Sequence, residues 1–322
     1  MTATPTYLDA GTVGTAIYDR EQFGSALFNQ YTGAAAPGNQ TATGIGLDAA
    51  YKVSWLTADI GTTPLGFDIT NVVGGAEIAP QIANNVIFRL TGERRAVTDS
   101  LLSYAGTNDP GTGTTWGGVT RTRVHGQLEF NPGQANFYAG GGYDWLQGQN
   151  VLSNSEVELG AGGSYPVYKT PADEVRVGLD LIYFGYSKNQ DHFTLGYGGY
   201  FSPQTYVAAM IPVNWTATRG LMTYKLGASV GLQSFNADAG AIFPTNASLQ
   251  AGAEALAAVN TQVQSTYDSQ SVTGIAGGVS GSFEYHLTPM LTVGGSGGYQ
   301  KSGNWNQADL MAFARYTFTD SE

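Results

Sequence analysis

The sequence predicts an all-β fold, an antiparallel transmembrane β-barrel, and three observations predict it. Charged residues are only 12% of the 322 residues, about half the share in an ordinary globular domain. Glycine fills 45 positions and aromatics 12%. Yet mean hydropathy is −0.13, and no run of about 20 apolar residues offers a spanning helix. Instead, apolar and polar residues alternate, as they must in a strand with one face on lipid and the other on a wet interior.

The alternation marks the strands in order. Thr2 to Asp9, Thr43 to Ala50, Trp55 to Thr62 and Asn71 to Pro80 carry it weakly. From Val86 to Arg95, Arg89, Thr91, Glu93 and Arg95 oppose Phe88 and Leu90. From Thr120 to Phe130, Arg121, Arg123, His125, Gln127 and Glu129 share one parity against Val124, Leu128 and Phe130. Ala135 to Trp145 follows. Ser155 to Tyr165 sets Glu156 and Glu158 against Val157, Leu159 and Tyr165, and Glu174 to Tyr186 sets Arg176 and Asp180 against Val177, Leu179, Leu181 and Tyr183. Thr205 to Ala217, then Met222 to Phe235 with Lys225, Ser229 and Gln233 on one side, continue the series. Ile275 to His286, Leu291 to Gln300 and Leu310 to Phe318 bring the total to about fourteen. Glycine clusters inside strands, such as Gly140 to Gly142, remove bulk at inward positions and permit bends.

The connections alternate as well. Short ones lie at Tyr51 to Ser54, Gln81 to Asn85, Asn131 to Gln134, Pro171 to Asp173, Thr218 to Gly220 and Thr288-Pro289. Long ones lie at Gly11 to Ala42, Thr63 to Thr70, Ala96 to Gly117, Leu146 to Asn154, Ser187 to Gln204 and Asn236 to Ser269. Short periplasmic turns and long external loops are the outer-membrane pattern. The Ala- and Gln-rich stretch Thr245 to Thr266 reads as a short external helix.

Composition excludes other classes. There is no cysteine, hence no disulfide and no thiolate. Net charge is −11, the wrong sign for a nucleic-acid partner. The three histidines, His125, His192 and His286, have no metal spacing, and no nucleophile elbow appears. Neither a metal nor a cofactor is expected. The start, Met-Thr-Ala-Thr-Pro, has no signal-peptide pattern, so the expectation is a mature fragment of an exported chain.

Five segments resemble one family: Thr63 to Phe67 (TPLGF), Arg94 to Gly106 (RRAVTDSLLSYAG), Asp109 to Val119 (DPGTGTTWGGV), Gly196 to Gln204 (GYGGYFSPQ) and Leu226 to Phe235 (LGASVGLQSF). They are similar to the C-terminal barrel of cellulose synthase operon protein C. The resemblance implies an outer-membrane channel that exports cellulose, a β-1,4-glucan. Its partners would be the glucan chain, outer-membrane lipid, a periplasmic tetratricopeptide repeat region of the same protein and the inner-membrane synthase complex. Complete members of that family have a sixteen-stranded barrel after the repeats. No 34-residue helical repeat is visible here, and Thr2-Ala-Thr-Pro5 resembles the third family strand. Residues 1–322 are therefore expected to be one barrel domain, monomeric, without the repeats and the first hairpin.

A neutral glucan needs hydrogen-bond partners and aromatic faces. The inward parity offers Tyr138, Asp144, Phe184, Tyr186 and Tyr206 as sugar contacts. With them it offers Arg89, Glu93, Arg121, Arg123, His125, Glu129, Glu156, Glu158, Arg176 and Asp180 as lumen lining. The plainer role for the charged ones is cross-strand pairing that braces the wall. Outward aromatics such as Trp145, Tyr165, Tyr183, Trp215, Tyr285, Tyr299 and Tyr316 read as interfacial girdle. In the Ser187 to Gln204 loop, His192, Phe193, Tyr197, Tyr200 and Phe201 among glycines suggest a flap that gates the outer mouth. A second constriction is expected from Asp99, Tyr104 and Trp116. Two other functions fit the alternation: a general porin, and an outer-membrane hydrolase using lumen acids.

Overall fold

The computed structural model describes residues 1–14, 16, 19, 22–302 and 305–317. Fourteen antiparallel strands run in sequence order through one sheet. They are β1 (Thr2–Thr12), β2 (Asn39–Lys52), β3 (Leu56–Thr62), β4 (Val72–Ile78), β5 (Val86–Ala96), β6 (Thr115–Phe130) and β7 (Asn136–Gln149). Then come β8 (Asn154–Lys169), β9 (Asp173–Tyr186), β10 (Thr205–Arg219), β11 (Met222–Ala237), β12 (Gln270–His286), β13 (Leu291–Ser302) and β14 (Trp305–Tyr316). Each pairs with the next along the chain. Among the described residues no pairing joins β1 to β14. No described helix is long and apolar enough to cross a membrane.

The sheet is rolled. Gly24, in the loop after β1, bridges Thr194, in the loop after β9, and such distant loops meet only if the strands between them curve around. The outward face carries Leu159, Leu179, Leu181, Val207, Ile211, Val213, Leu226, Val230 and Ile275, all exposed. The girdle aromatics Trp145, Tyr165, Tyr183, Trp215, Tyr285, Tyr299 and Tyr316 share this outward exposure. Exposed apolar side chains in this number fit a lipid surround, where burial against protein is not needed.

Several strands run past the alternating stretches. β6 begins at Thr115 and β12 at Gln270, about five residues early in each case. A strand end that rises clear of the bilayer has no lipid face, so nothing enforces the period there. The segment expected from Asn71 to Pro80 is shorter, Val72–Ile78, and Gln81–Ala83 folds back onto β5. In the Asn236 to Ser269 loop, the helix spans Ala247–Ala257 and starts where the Asn246 side chain accepts from Leu249 N at 3.0 Å. Thr266–Tyr267 pairs with Gly240–Ala241. The final strand ends at Tyr316, and Phe318 lies outside the described residues.

The long loops all leave from odd-numbered strands and pack together at one end. That end, rather than the barrel wall, holds the apolar core: Phe23, Leu27, Leu102, Trp116, Leu195, Tyr197, Ile242, Phe243, Ala253, Val263 and Tyr267 are all buried there. Gly24 shows how tight the packing is. Its φ is +51°, and a Cβ there would come within 2.5 Å of Asp109 Oδ1.

Candidate functional site

Register decides which side chains share the interior. Asp59 faces Gly75, Gly75 faces Glu93, Glu93 faces Arg123, Arg123 faces Asp144, and Asp144 faces Glu156. One inward row thus carries charge from β3 to β8. The charges are paired. Arg89 bonds Glu77 and, at 2.9 Å, Glu129. Arg95 forks onto Asp59 at 2.5 and 2.6 Å and donates to Glu93 at 2.9 Å. Arg123 donates twice to Asp144 Oδ2, at 3.1 Å from Nε and 3.0 Å from Nη2, and reaches Glu158 at 2.7 Å. Arg121 lies 3.5 Å from both Asp144 and Glu156, and His125 Nε2 lies 3.8 Å from Glu158.

Farther round, the Tyr138 hydroxyl donates to Asp180 at 2.9 Å. The two side chains meet over Gly162, where a Cβ would lie 2.5 Å from the carboxylate. The structure therefore assembles eleven of the expected lumen residues into this braced wall. Arg176 stands apart: it binds Glu174, Ser164 and the Gln134 carbonyl near the short turns. Asp59 and Glu77, which complete the ion pairs, were not among the expected site residues, because their strands are short and alternate weakly.

The opposite wall is different. From β10 to β13 the inward positions are largely small or neutral, among them Ala208, Asn214, Gly227, Ser229, Gly231, Gln233, Ser280, Ser282, Ser296 and Gln300. The interior thus has an ionic side, largely paired internally, and a mostly neutral side whose charges, Lys225 and Glu284, lie toward the short turns.

Aromatic rings gather where β9, β10 and β11 reach the loops. Phe184 and Tyr206 stack with centroids 4.4 Å apart and planes 11° apart. Phe201 descends from the loop after β9 to lie 5.1 Å from Phe235, 6.3 Å from Tyr206 and 6.4 Å from Phe184. Tyr186 sits 6.0 Å from Phe184 and 6.1 Å from Tyr200. Three expected sugar contacts, Phe184, Tyr186 and Tyr206, thus come together with Phe201. Phe235 was missed. Its parity is that of Ser229 and Gln233, so the signal was present.

The loops above these rings form a cap. In the Ser187 to Gln204 loop, Gly24 N donates to Phe193 O at 2.8 Å and Leu152 N to Gly196 O at 2.8 Å. Thr194 Oγ1 donates to Ile242 O at 2.6 Å, and the Tyr197 hydroxyl to Ala241 O at 2.7 Å. His192 stacks on Tyr267 with centroids 3.6 Å apart. In this structure His192, Tyr197 and Tyr200 are held inside the cap, while Phe193 and Phe201 remain exposed. The loop is therefore integrated with its neighbours rather than a free-standing flap.

The second-constriction assignment needs a correction. Trp116 has no exposed surface; it packs in the cap core with its ring 5.5 Å from Phe23. A ring buried by packing cannot line an opening. Tyr104 lies edge-on to Phe67 at 5.1 Å. Asp99 touches the loop after β9, accepting from Phe201 N at 3.1 Å. Asp109 is also fully buried, taking bonds from Ser25 N, Ser25 Oγ, Thr112 N and Thr112 Oγ1 at 2.6 to 2.9 Å.

Desolvation among the crowded loops shifts titrations. It raises the Asp99 carboxyl above its ordinary range. The same desolvation, with Asp99 nearby, pushes Asp191 up to about 6, and it pushes His192 down to about 4. No described group of three or more His, Asp or Glu residues could hold a metal ion.

A rolled antiparallel sheet with an apolar exterior, a polar interior and loops capping one end defines an outer-membrane β-barrel. The family model described as the C-terminus of cellulose synthase operon protein C matches residues 1–319, and the chain belongs to that family. Over 320 residues it is 44% identical to cellulose synthase 2 operon protein C of Komagataeibacter xylinus, covering 98% of this chain and 24% of that one. It is 34% identical over 311 residues to the operon protein C of Xanthomonas axonopodis pv. citri, covering 92% of this chain and 21% of that protein. The chain thus spans about a quarter of the length of these relatives. Among solved structures, a bacterial polysaccharide outer membrane secretin superposes with a TM-score of 0.54 at 11% identity, covering 87% of this chain and 84% of that one. This likeness concerns the fold.

Proposed function

We propose that the chain forms the outer-membrane passage through which a β-1,4-glucan leaves the periplasm. The observation that carries this reading is the ring cluster at the capped end of the interior, in which Phe184 stacks on Tyr206 and Phe201 meets Phe184, Tyr206 and Phe235 edge-on. Flat apolar ring faces suit a pyranose, and the ionic wall offers few unpaired charges to hold a neutral polymer back. A conduit works with weak, distributed contacts, since tight ones would stall the moving chain. The cap is its gate on this reading, supported by the bonds that tie the loops to one another. The glucan is driven by an inner-membrane synthase and handed on by periplasmic repeats of the same protein, and the barrel acts as a monomer.

Export in cells tests the reading. Phe184→Ala with Tyr206→Ala, introduced at the native locus, lowers surface glucan at least severalfold while the amount of heat-shiftable barrel is unchanged. Unaltered glucan at equal barrel level overturns it.

A further inference from the structure

Arg94 is set apart from the other arginines of the wall. Arg95 turns inward onto Asp59 and Glu93, so Arg94, on the other parity, turns outward, and it is exposed. Every other described arginine sits in an ion pair. Arg94 has neither an ion pair nor a side-chain hydrogen bond among the described residues. Register places it at the long-loop end of β5, opposite Gly74 of β4 and Thr122 of β6. Thr122 in turn faces the girdle residue Trp145, whose ring lies 4.8 Å from that of Tyr143. Two residues above Thr122, outward Thr120 is already buried, so Arg94 stands at the external edge of the lipid-facing band. A charge on that face is costly at the bilayer centre and tolerated at its edge.

Below Arg94, toward the short turns, the outward face is hollow. The next outward row reads Tyr51, Ala58, Ala76, Gly92 and Val124 across neighbouring strands. The row beneath it returns to large side chains, Leu56, Ile78 and Leu90. Ala58, Ala76 and Gly92 thus floor a patch two strand spacings wide, about 10 Å, with Gly74 extending it up beside the guanidinium. Tyr51 and Val124 stand exposed at its two sides. A Cβ added at Gly92 would meet nothing within 4 Å.

We propose that this outward patch is a lipid site: Arg94 binds a phosphate of an anionic lipid in the outer leaflet, and the hollow beneath it seats one acyl chain of the same molecule. The argument for that occupant is charge and order. An outward guanidinium with no acid of its own takes its anion from outside the chain, and its planar fork matches the oxygens of a phosphate. The cation lies at the interface and the apolar hollow lies deeper, the order in which a lipid presents headgroup and chain. The girdle rings of Trp145 and Tyr143 mark the same level on the neighbouring strand. The contact fixes the height of this part of the wall in the bilayer, and it is independent of what passes through the barrel.

Native mass spectrometry of the full-length protein in detergent, titrated with diphosphoryl lipid A and with phosphatidylcholine, tests the proposal. Wild type binds lipid A more tightly than phosphatidylcholine, which carries no net charge. Arg94→Gln weakens lipid A binding about tenfold, the loss expected for charge-assisted bonds to one phosphate, and leaves phosphatidylcholine binding unchanged. Gly92→Leu fills the hollow without touching the charge and weakens both lipids about fivefold. Arg219→Ala, at the short-turn end, leaves lipid A binding as it was. Heat-shifted migration confirms that each variant is folded. Equal lipid A affinity in wild type and Arg94→Gln overturns the site, as does an equal loss in Arg219→Ala. Wild-type binding of both lipids by Gly92→Leu overturns the hollow as the seat of the chain. A lipid-free dimer of wild type that dissociates in Arg94→Gln makes this face a contact between copies and overturns the lipid as its occupant.

Discussion

The Asp99 carboxylate accepts a hydrogen bond from the Phe201 backbone N at 3.1 Å, across 102 residues of sequence. It ties the loop after β5 to the loop after β9, directly above the stacked rings. Asp99 keeps an exposed edge, so the bond contributes about 1 kcal/mol. Asp99→Ala is expected to raise the open population, and with it basal single-channel conductance events, about fivefold. An unchanged event rate means this bond does not hold the cap.

The ionic wall stabilises the barrel through completeness. Arg123 serves Asp144, which has no exposed surface, and Glu158 together. Arg123→Ala leaves both acids short of their main partner and is expected to cost about 3 kcal/mol. The readout is a lower midpoint for heat- or urea-induced loss of the folded band. Arg176→Ala, at the short turns, is expected to cost under about 1 kcal/mol, because its partners are more exposed.

Asp109 locks the cap without touching the lumen. Its four bonds join the loop after β1 to the loop after β5. Asp109→Ala strips Ser25 and Thr112 of their acceptor and opens space beside Gly24. Amide exchange is expected to accelerate at least tenfold in residues 22–29 and 107–114, with the strands of the wall unaffected. Protection retained in both segments contradicts this role.

Two loop groups give the cap opposed pH responses. His192 has a depressed folded pKa of about 4, so its stabilising share is complete above the ordinary histidine value and is lost as pH falls toward 4. Asp191 has a raised folded pKa of about 6. Its share is complete below the ordinary aspartate value and is lost as pH rises through 6. Wild-type cap protection is therefore expected to vary little between pH 6.5 and 4. With Asp191→Asn the histidine response outweighs what the raised Asp99 carboxyl still opposes, and the cap loosens on acidification. His192→Phe keeps a ring on Tyr267 and leaves the aspartate response alone, so the cap tightens on acidification. Exchange rates across this range in both variants check the signs.

The strands were legible because lipid demands an apolar side chain at nearly every outward position, and a period of two is the only way a strand can meet that demand. Thr120 to Phe130 therefore announces both its faces. The same parity set Arg123, Asp144 and Glu158 on the inward side, but that Arg123 bonds both acids is read only from the structure. The cap obeys no such period. Its order comes from pairs such as Ser25 with Asp109 and Thr194 with Ile242, 84 and 48 residues apart. Sequence alone does not distinguish an aromatic that lines an opening from one that fills a core, and Trp116 was misassigned for this reason. Phe235 was overlooked despite a readable parity, because its importance lies in what Phe201 brings to it from another loop.

Single-channel current through the full-length protein, with cellohexaose or maltohexaose added on the periplasmic side, tests the glucan passage most directly. The expected result is concentration-dependent block by cellohexaose and no block by maltohexaose. Current indifferent to both sugars, or blocked equally by both, contradicts a passage shaped for a β-1,4-glucan.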